Sequence, residues 1–351
     1  MVVLPKLASW PFVCPRLRFD VRRRRRAARP LGAGGLVLGL ARTRFGNGGG
    51  AMAMTPGAAM EADHGLGVAM AIGTALFWAV SVLLLRRGVK AGAGATNLLK
   101  NAIGSLLMVP TMAFVGWDDL TSIGTEDLAI LACSGILGIA IGDWLFLGAL
   151  ARLGASWMAL FDCVYAPTVV LAAVLVLGEP LAPEFGVGAG LVVLGLALAT
   201  WQTPRDAPVR GGVWLGIGSI VVVALAVVLA KPALGRTGLL AATAVRLWVG
   251  LVAQALVLAV LPQGRAAFRV LYNAEAWRTI APAAVLGTWA AMILWLGGIK
   301  YTHASVAAVL NQLAVVFMLV GAHFWLGETV SRRRWLGSAL AASGAAVIAI
   351  A

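Results

Sequence analysis

Stretches of about 20 mainly apolar residues recur ten times beyond Leu66, and this recurrence constrains the fold more than any other feature. They run over roughly 66–85, 97–116, 128–150, 155–177, 184–203, 211–230, 239–261, 279–299, 304–326 and 333–351, separated by short loops bearing Arg, Asp, Pro or Gly. A helix of that length crosses a hydrocarbon layer roughly 30 Å thick. The runs are long and unalternating, and open sheet edges cannot face lipid, so strands are excluded. The expected class is an all-α, polytopic membrane protein of about ten transmembrane helices.

Composition agrees. Of 351 residues, 61% are hydrophobic and 12% charged, about half the charged fraction of soluble domains. A soluble fold could not place so much apolar surface in one or two cores. The three cysteines, Cys14, Cys133 and Cys163, are too scattered for a disulfide framework or a metal cluster. His303 and His323 lie twenty residues apart on one span and cannot share a metal, so neither metal nor cofactor is expected.

The net charge of +14 suggests nucleic acid until its location is considered. Residues 1–60 hold eleven Lys/Arg against Asp20, so +10 of the total belongs to this extension. The run Arg22 to Arg26 and the Gly/Ala-rich stretch after it have too little apolar content to fold alone. A targeting segment, a polybasic strip on anionic lipid, and translation from Met52, Met54 or Met60 all remain open. No nucleic-acid partner is expected.

The apolar region is duplicated. Gly67-Val68 and Gly73-Thr74 match Gly212-Val213 and Gly218-Ser219 at an offset of 145, as Arg86 matches Lys231. At an offset of 149, Ala155-Ser156 matches Ala304-Ser305, Leu177-Gly178-Glu179 matches Leu326-Gly327-Glu328, and Gly188 and Gly195 match Gly337 and Gly344. The expected units are 61–203 and 204–351. Because each copy holds five spans, the second must enter the membrane upside down, and inverted repeats serve alternating access around a midplane site.

Several segments carry a resemblance: Ala75-Leu-Phe-Trp-Ala79, Asn97 to Asn101, Gly142-Asp143-Trp144 through Leu150, and Ala155-Ser156 through Leu177-Gly178-Glu179 with the glycine-rich span that follows. In these the chain resembles the EamA-type drug/metabolite transporter superfamily from about residue 65 to the end. The resemblance implies ten helices and export or exchange of amino acids, amines, sugars or nucleotide-linked metabolites, in a bacterial plasma membrane. It also implies cytoplasmic termini. Loop charge argues the reverse, because the loops after odd spans carry twelve Lys/Arg and those after even spans three. Orientation stays open.

Ionisable groups inside spans are costly and point to function. Asp143 and Asp162 lie on either side of a turn expected at Arg152, at similar depth, where paired carboxylates would suit proton coupling. Lys100 shares a polar face with Asn97 and Asn101, and its counterpart is close to Arg246. The duplication pairs Asp162 with Asn311, beside Gln312. Pro167 is expected to kink the helix near Asp162. Trp78, Trp144, Trp289 and Tyr165 are candidate cavity aromatics, set against core packing or an interfacial belt. Gly135, Gly138 and Gly142, and likewise Gly186 and Gly190, are expected to let helices approach closely. Glu179 and Glu328 are expected to serve structure at helix ends.

The expectation is a secondary transporter of a small polar metabolite, with the lipid bilayer and the substrate as partners; a homodimer is compatible with the sequence. An intramembrane enzyme using Asp143 and Asp162 would want flanking signatures that are lacking, and a scaffold would not need buried charges. No Gly-x-x-x-x-Gly-Lys-Ser/Thr loop occurs, so ATP is not the expected energy source.

Overall fold

The computed structural model describes residues 56–86, 93–115, 117–200, 210–261, 264–326 and 330–350. Residues 1–55, and with them nearly all of the basic extension, lie outside the described residues, as does Glu328. Among the described residues all regular structure is helical.

The first half opens with α1 (Pro56–Arg86) and α2 (Ala93–Val115). After one turn at Asp118–Thr121, α3 (Thr125–Gly135) passes through a π segment, Ile136–Gly142, into α4 (Asp143–Ala172) and a second π segment, Ala173–Leu177. α5 (Pro183–Thr200) closes this half. The second half contains α6 (Arg210–Arg236), α7 (Leu239–Val260), a 3₁₀ stretch at Arg265–Tyr272, and α8 (Ala274–Ala284). A π segment, Val285–Ala290, leads to α9 (Ala291–Tyr301), followed by α10 (Ala304–Asn311), α11 (Leu313–Leu326) and α12 (Arg332–Ile350).

Six stretches are long and apolar enough to cross a membrane: Asp63–Leu84, Thr125–Phe146, Gly211–Arg236, Leu239–Val260, Ala274–Tyr301 and Ala304–Trp325. Two shorter apolar helices are Val164–Leu177 and Pro183–Ala199. α2 and α12 are diluted by what they carry near their starts: Asn97, Lys100 and Asn101 in one, Arg332 to Arg334 in the other.

The helical hydrogen-bond pattern continues from Thr125 to Leu177, a length of about 80 Å if straight. Its contacts show a different path. Asp127 pairs with Arg236 and Glu179 with Lys231, both at the end of α6, whereas Arg152 and Leu153 lie against Gly212 at its start. The run therefore doubles back beyond Arg152, where the sequence places a turn.

The duplication reappears as matched geometry. The π segments begin at Ile136 and Val285, 149 residues apart. Ser81 in α1 donates to the carbonyl of Ala283, and Ser134 in α3 to that of Ala226; shifting the first pair by 145 and −149 yields the second. Gly67 faces Tyr301 and Thr302 as Gly212 faces Arg152 and Leu153, and Gly73 faces Leu294 as Gly218 faces Leu145. Inserting a π turn at both places re-aims the following helix by about a quarter turn, a device common at functional positions.

α5 and α12 are also equivalent, and they pack on each other. Gly188 meets Gly344 and Ile348, while Gly195 meets Gly337 and Ala341, so the two helices run antiparallel. An added Cβ at Gly195 would stand 2.5 Å from the backbone of Gly337 and Ala341. Gly186 and Gly190, expected from their spacing to be the packing pair, have open space around them. Spacing alone does not say which face of a helix meets a neighbour, and here the face is the one seven residues long, 188 to 195. The Gly135, Gly138 and Gly142 stripe does pack, against Arg246, Ala226 and Val223.

Small side chains fill much of the core: Ala71, Ala75, Ala224, Ala230, Ala233, Ala307 and Ala308 are completely buried. In lipid, where tails are as apolar as leucine, close approach through small residues is what holds helices together. Larger side chains such as Leu99, Met108, Leu247 and Leu310 are buried as well, while other large apolar residues, among them Phe114, Leu175, Trp214, Val260 and Phe324, face outward. That outer apolar surface suits a bilayer solvent.

Candidate functional site

Two levels of polar side chains cross the bundle interior. α3 and α7 lie side by side and run the same way, Gly135 against Arg246 and Ile139 against Gly250. Asp143, one turn beyond Ile139, thus reaches the level of Gln254, about 12 Å from Arg246 along the helix axis.

At the upper level, Asn97 donates its amide to Asp143 Oδ2 at 3.0 Å, and Asn101 donates to Gln254 Oε1 at 2.9 Å. Asn97 and Asn101 are buried, one turn apart on α2, so their side chains share a face. Lys100, on the same turn, holds its ammonium 5.4 Å from the ring centre of Trp78. The tryptophan's negative π face stabilises that cation. Trp78, a candidate cavity aromatic, holds Lys100 in this structure. Three amides, a carboxylate, an ammonium and an indole thus gather where α1, α2, α4 and α7 approach, and both halves contribute.

At the lower level, Arg246 is buried to 3% exposure. It donates to the Ser134 hydroxyl, which in turn donates to the Ala226 carbonyl. Its Nε has no hydrogen-bond partner among the described residues. Gly135 and Gly138 leave the room it occupies, and Tyr165 on α4 interacts with it electrostatically. Among the described residues no carboxylate lies within 4 Å of this guanidinium. A buried Arg whose Nε has no partner among the described residues can donate to an anion.

The remaining candidates are dispersed. The Asp162 side chain lies outside the described residues. Asn311 ends α10 with its Oδ1 buried and without a partner among the described residues, and Gln312 beside it is buried. Trp289 donates its indole N–H to Thr111 Oγ1 at 3.0 Å and packs among Met108, Leu247 and their neighbours. Trp144 is 52% exposed. Pro167 lies inside α4. A surface groove of about 330 Å³, lined by Leu194, Ala197, Leu198 and Arg333, belongs to α5 and α12 and is separate from these levels.

Sequence reasoning missed Gln254 and Ser134. Both are lone polar residues in apolar spans. Only their partners across the bundle reveal their weight.

A third polar group stands at one end of the bundle. Gly178 takes a left-handed conformation (φ 65°), turning the chain so that Glu179 points back inside. Glu179 accepts from the backbone N–H of Ala304 at 2.9 Å and of Ser305 at 3.2 Å, and from the Ser305 hydroxyl at 2.7 Å, capping α10. Lys231 lies 3.1 Å away and also donates to the Thr302 carbonyl at 2.6 Å. Burial pushes the Glu179 carboxyl up, but Lys231 and the three donors outweigh it and hold the group below the ordinary carboxylate value. Lys300 donates to the carbonyls of Leu234 and Thr237 nearby.

Family comparison decides the class. The EamA-like transporter family matches the chain twice, over residues 65–201 and 210–350. The chain belongs to the EamA-like transporter family. The family matches the chain as two successive repeats, and it is one of membrane transporters. Twenty-nine chains of solved structures match this transporter. One, described only as the crystal structure of a protein, superposes with a TM-score of 0.66 at 17% identity, covering 80% of this chain and 96% of that one. At that identity the likeness is one of fold. No match is found among curated proteins.

Proposed function

We propose that this protein is a secondary transporter, exporting or exchanging a small polar metabolite such as an amino acid or amine across a bacterial plasma membrane. The halves 61–203 and 204–351 act as inverted five-helix repeats of a ten-span bundle, rocking about an interior site to expose it to each side in turn. The observation that carries the reading is the upper polar level, in which Asn97, Lys100, Asn101 and Asp143 of one half meet Gln254 of the other inside apolar spans. Opposite charges on Lys100 and Asp143 suit a zwitterion bound among amides, while Arg246, about 12 Å distant, takes part through a longer anionic substrate or another stage of the cycle. Asp143, and Asp162 with it, exchanges a proton with the side it faces. That coupling links transport to the pH gradient.

The test is flux in proteoliposomes with a panel of ¹⁴C-labelled amino acids and amines, with and without a pH gradient. Wild-type protein is expected to accumulate at least one compound under the gradient. Asp143→Asn is expected to lower gradient-driven accumulation about tenfold or more while leaving downhill exchange measurable. Intact gradient-driven flux in both Asp143→Asn and Asp162→Asn would refute the coupling.

A further inference from the structure

We infer that Glu179, with Lys231 and Ser305, forms a latch that closes one face of the transporter and opens once in every cycle; the inference rests on the transport reading above. Glu179 belongs to the first half, and the groups it engages, Lys231, Ala304 and Ser305, belong to the second. Any rocking that parts the halves at this face must separate them.

Position supports this role. Ser134 lies against Ala226 and Leu145 against Gly218, so α6 runs antiparallel to α3 and the start of α4. Lys231, one turn beyond Ala226, lies past Ser134 towards Asp127, roughly 15–20 Å along the bundle from Asp143. The latch therefore stands between the upper polar level and one end of the bundle, where an access path must open. Glu179 is buried to 7% exposure, so this contact is closed in this state.

Chemistry supports it as well. Both carboxylate oxygens are engaged, one by Lys231 and the Ala304 amide, the other by the Ser305 amide and hydroxyl. Lys231 is tied in turn to the Thr302 carbonyl, and His303 Nδ1 lies 3.9 Å from Glu179. Charge-assisted bonds of this kind hold firmly while dry, and water entering the opening gap can replace each partner. They form a discrete two-position contact rather than a continuously deformable one. The same residue types recur in the sequence at Arg86, Ala155-Ser156 and Glu328, whose side chains lie outside the described residues.

The experiment uses the full chain with Cys14, Cys133 and Cys163 changed to Ala. Glu179→Cys and Ser305→Cys are bridged by a short bifunctional thiosulfonate in proteoliposomes, and exchange of a mixture of ¹⁴C-labelled amino acids and amines is followed. The bridge is expected to slow exchange about tenfold or more, with recovery on adding reductant. Exchange as fast with the bridge as without it would overturn the latch. Absence of exchange by wild-type protein would instead count against the transport reading, and a second measurement then decides the latch. The single variant Ser305→Cys, buried when closed, is expected to react with a water-soluble maleimide from one side, and faster when Glu179→Gln is added. No reaction over hours, in either background, would overturn it.

Discussion

Replacing Lys231 by Met alone is expected to lower the stability of the folded protein by about 3 kcal/mol, because it leaves the Glu179 carboxylate buried without its counter-charge. This is the lower end of the range for breaking a buried pair, since the Lys231 side chain keeps 22% of its exposure while that of Glu179 keeps 5%. In detergent micelles the unfolding midpoint should fall by about 4–5 °C. Adding Glu179→Gln to Lys231→Met should recover much of the loss, because two neutral partners need no charge compensation. The pH dependence follows from the lowered carboxyl value. A carboxylate stabilised on folding contributes fully above its unfolded value of about 4.3 and ceases to contribute as pH falls through its folded value. The gap between wild type and Glu179→Gln should therefore be flat from neutral pH to about pH 5 and close in stronger acid. A single-variant loss under about 1 kcal/mol would mean that solvent already screens the pair.

Gly195→Val is expected to be equally damaging, for a different reason. Its Cβ would stand 2.5 Å from the Ala341 nitrogen and the Gly337 carbonyl oxygen, which are backbone atoms that cannot rotate away. α5 and α12 would have to part along their length, losing the contacts that hold both to the bundle. A cost of about 3 kcal/mol, the upper end for overpacking, is expected. Gly190→Val provides the control on the same helix: nothing lies within 4 Å of its added Cβ, so the change should be near neutral. Both values can be read from thermal unfolding of the purified variants. Equal stability of the two would show that α5 and α12 do not meet at Gly195.

The duplication was legible because glycines and short motifs survive in register, and the offsets of 145 and 149 reappear as paired contacts such as Ser81 with Ala283 and Ser134 with Ala226. The turn after Arg152 was legible from apolar length alone. Faces were not. Gly186 and Gly190 have the spacing of a packing pair, yet Gly188 and Gly195 do the packing, since only the neighbouring helix defines the inner face. Partners across the bundle were hidden for the same reason. Lys100 proves to rest on Trp78, and Asn101 on Gln254, which no periodicity singles out. Glu179 was expected to do structural work at a helix end, and it does cap α10. Its pairing with Lys231 joins residues 52 positions apart and could not be read from either neighbourhood. The Thr111 partner of the Trp289 indole lies 178 residues away and was hidden for the same reason.

The proposal that both sides of the membrane reach the upper polar level in turn is most directly tested at Asn101, which is buried to 3% exposure in this state. Asn101→Cys, in a chain otherwise free of cysteine, would be treated in proteoliposomes with a membrane-impermeant thiosulfonate applied to one side or the other. Alternating access predicts modification from each side separately. Modification from a single side only, or from neither, would contradict it.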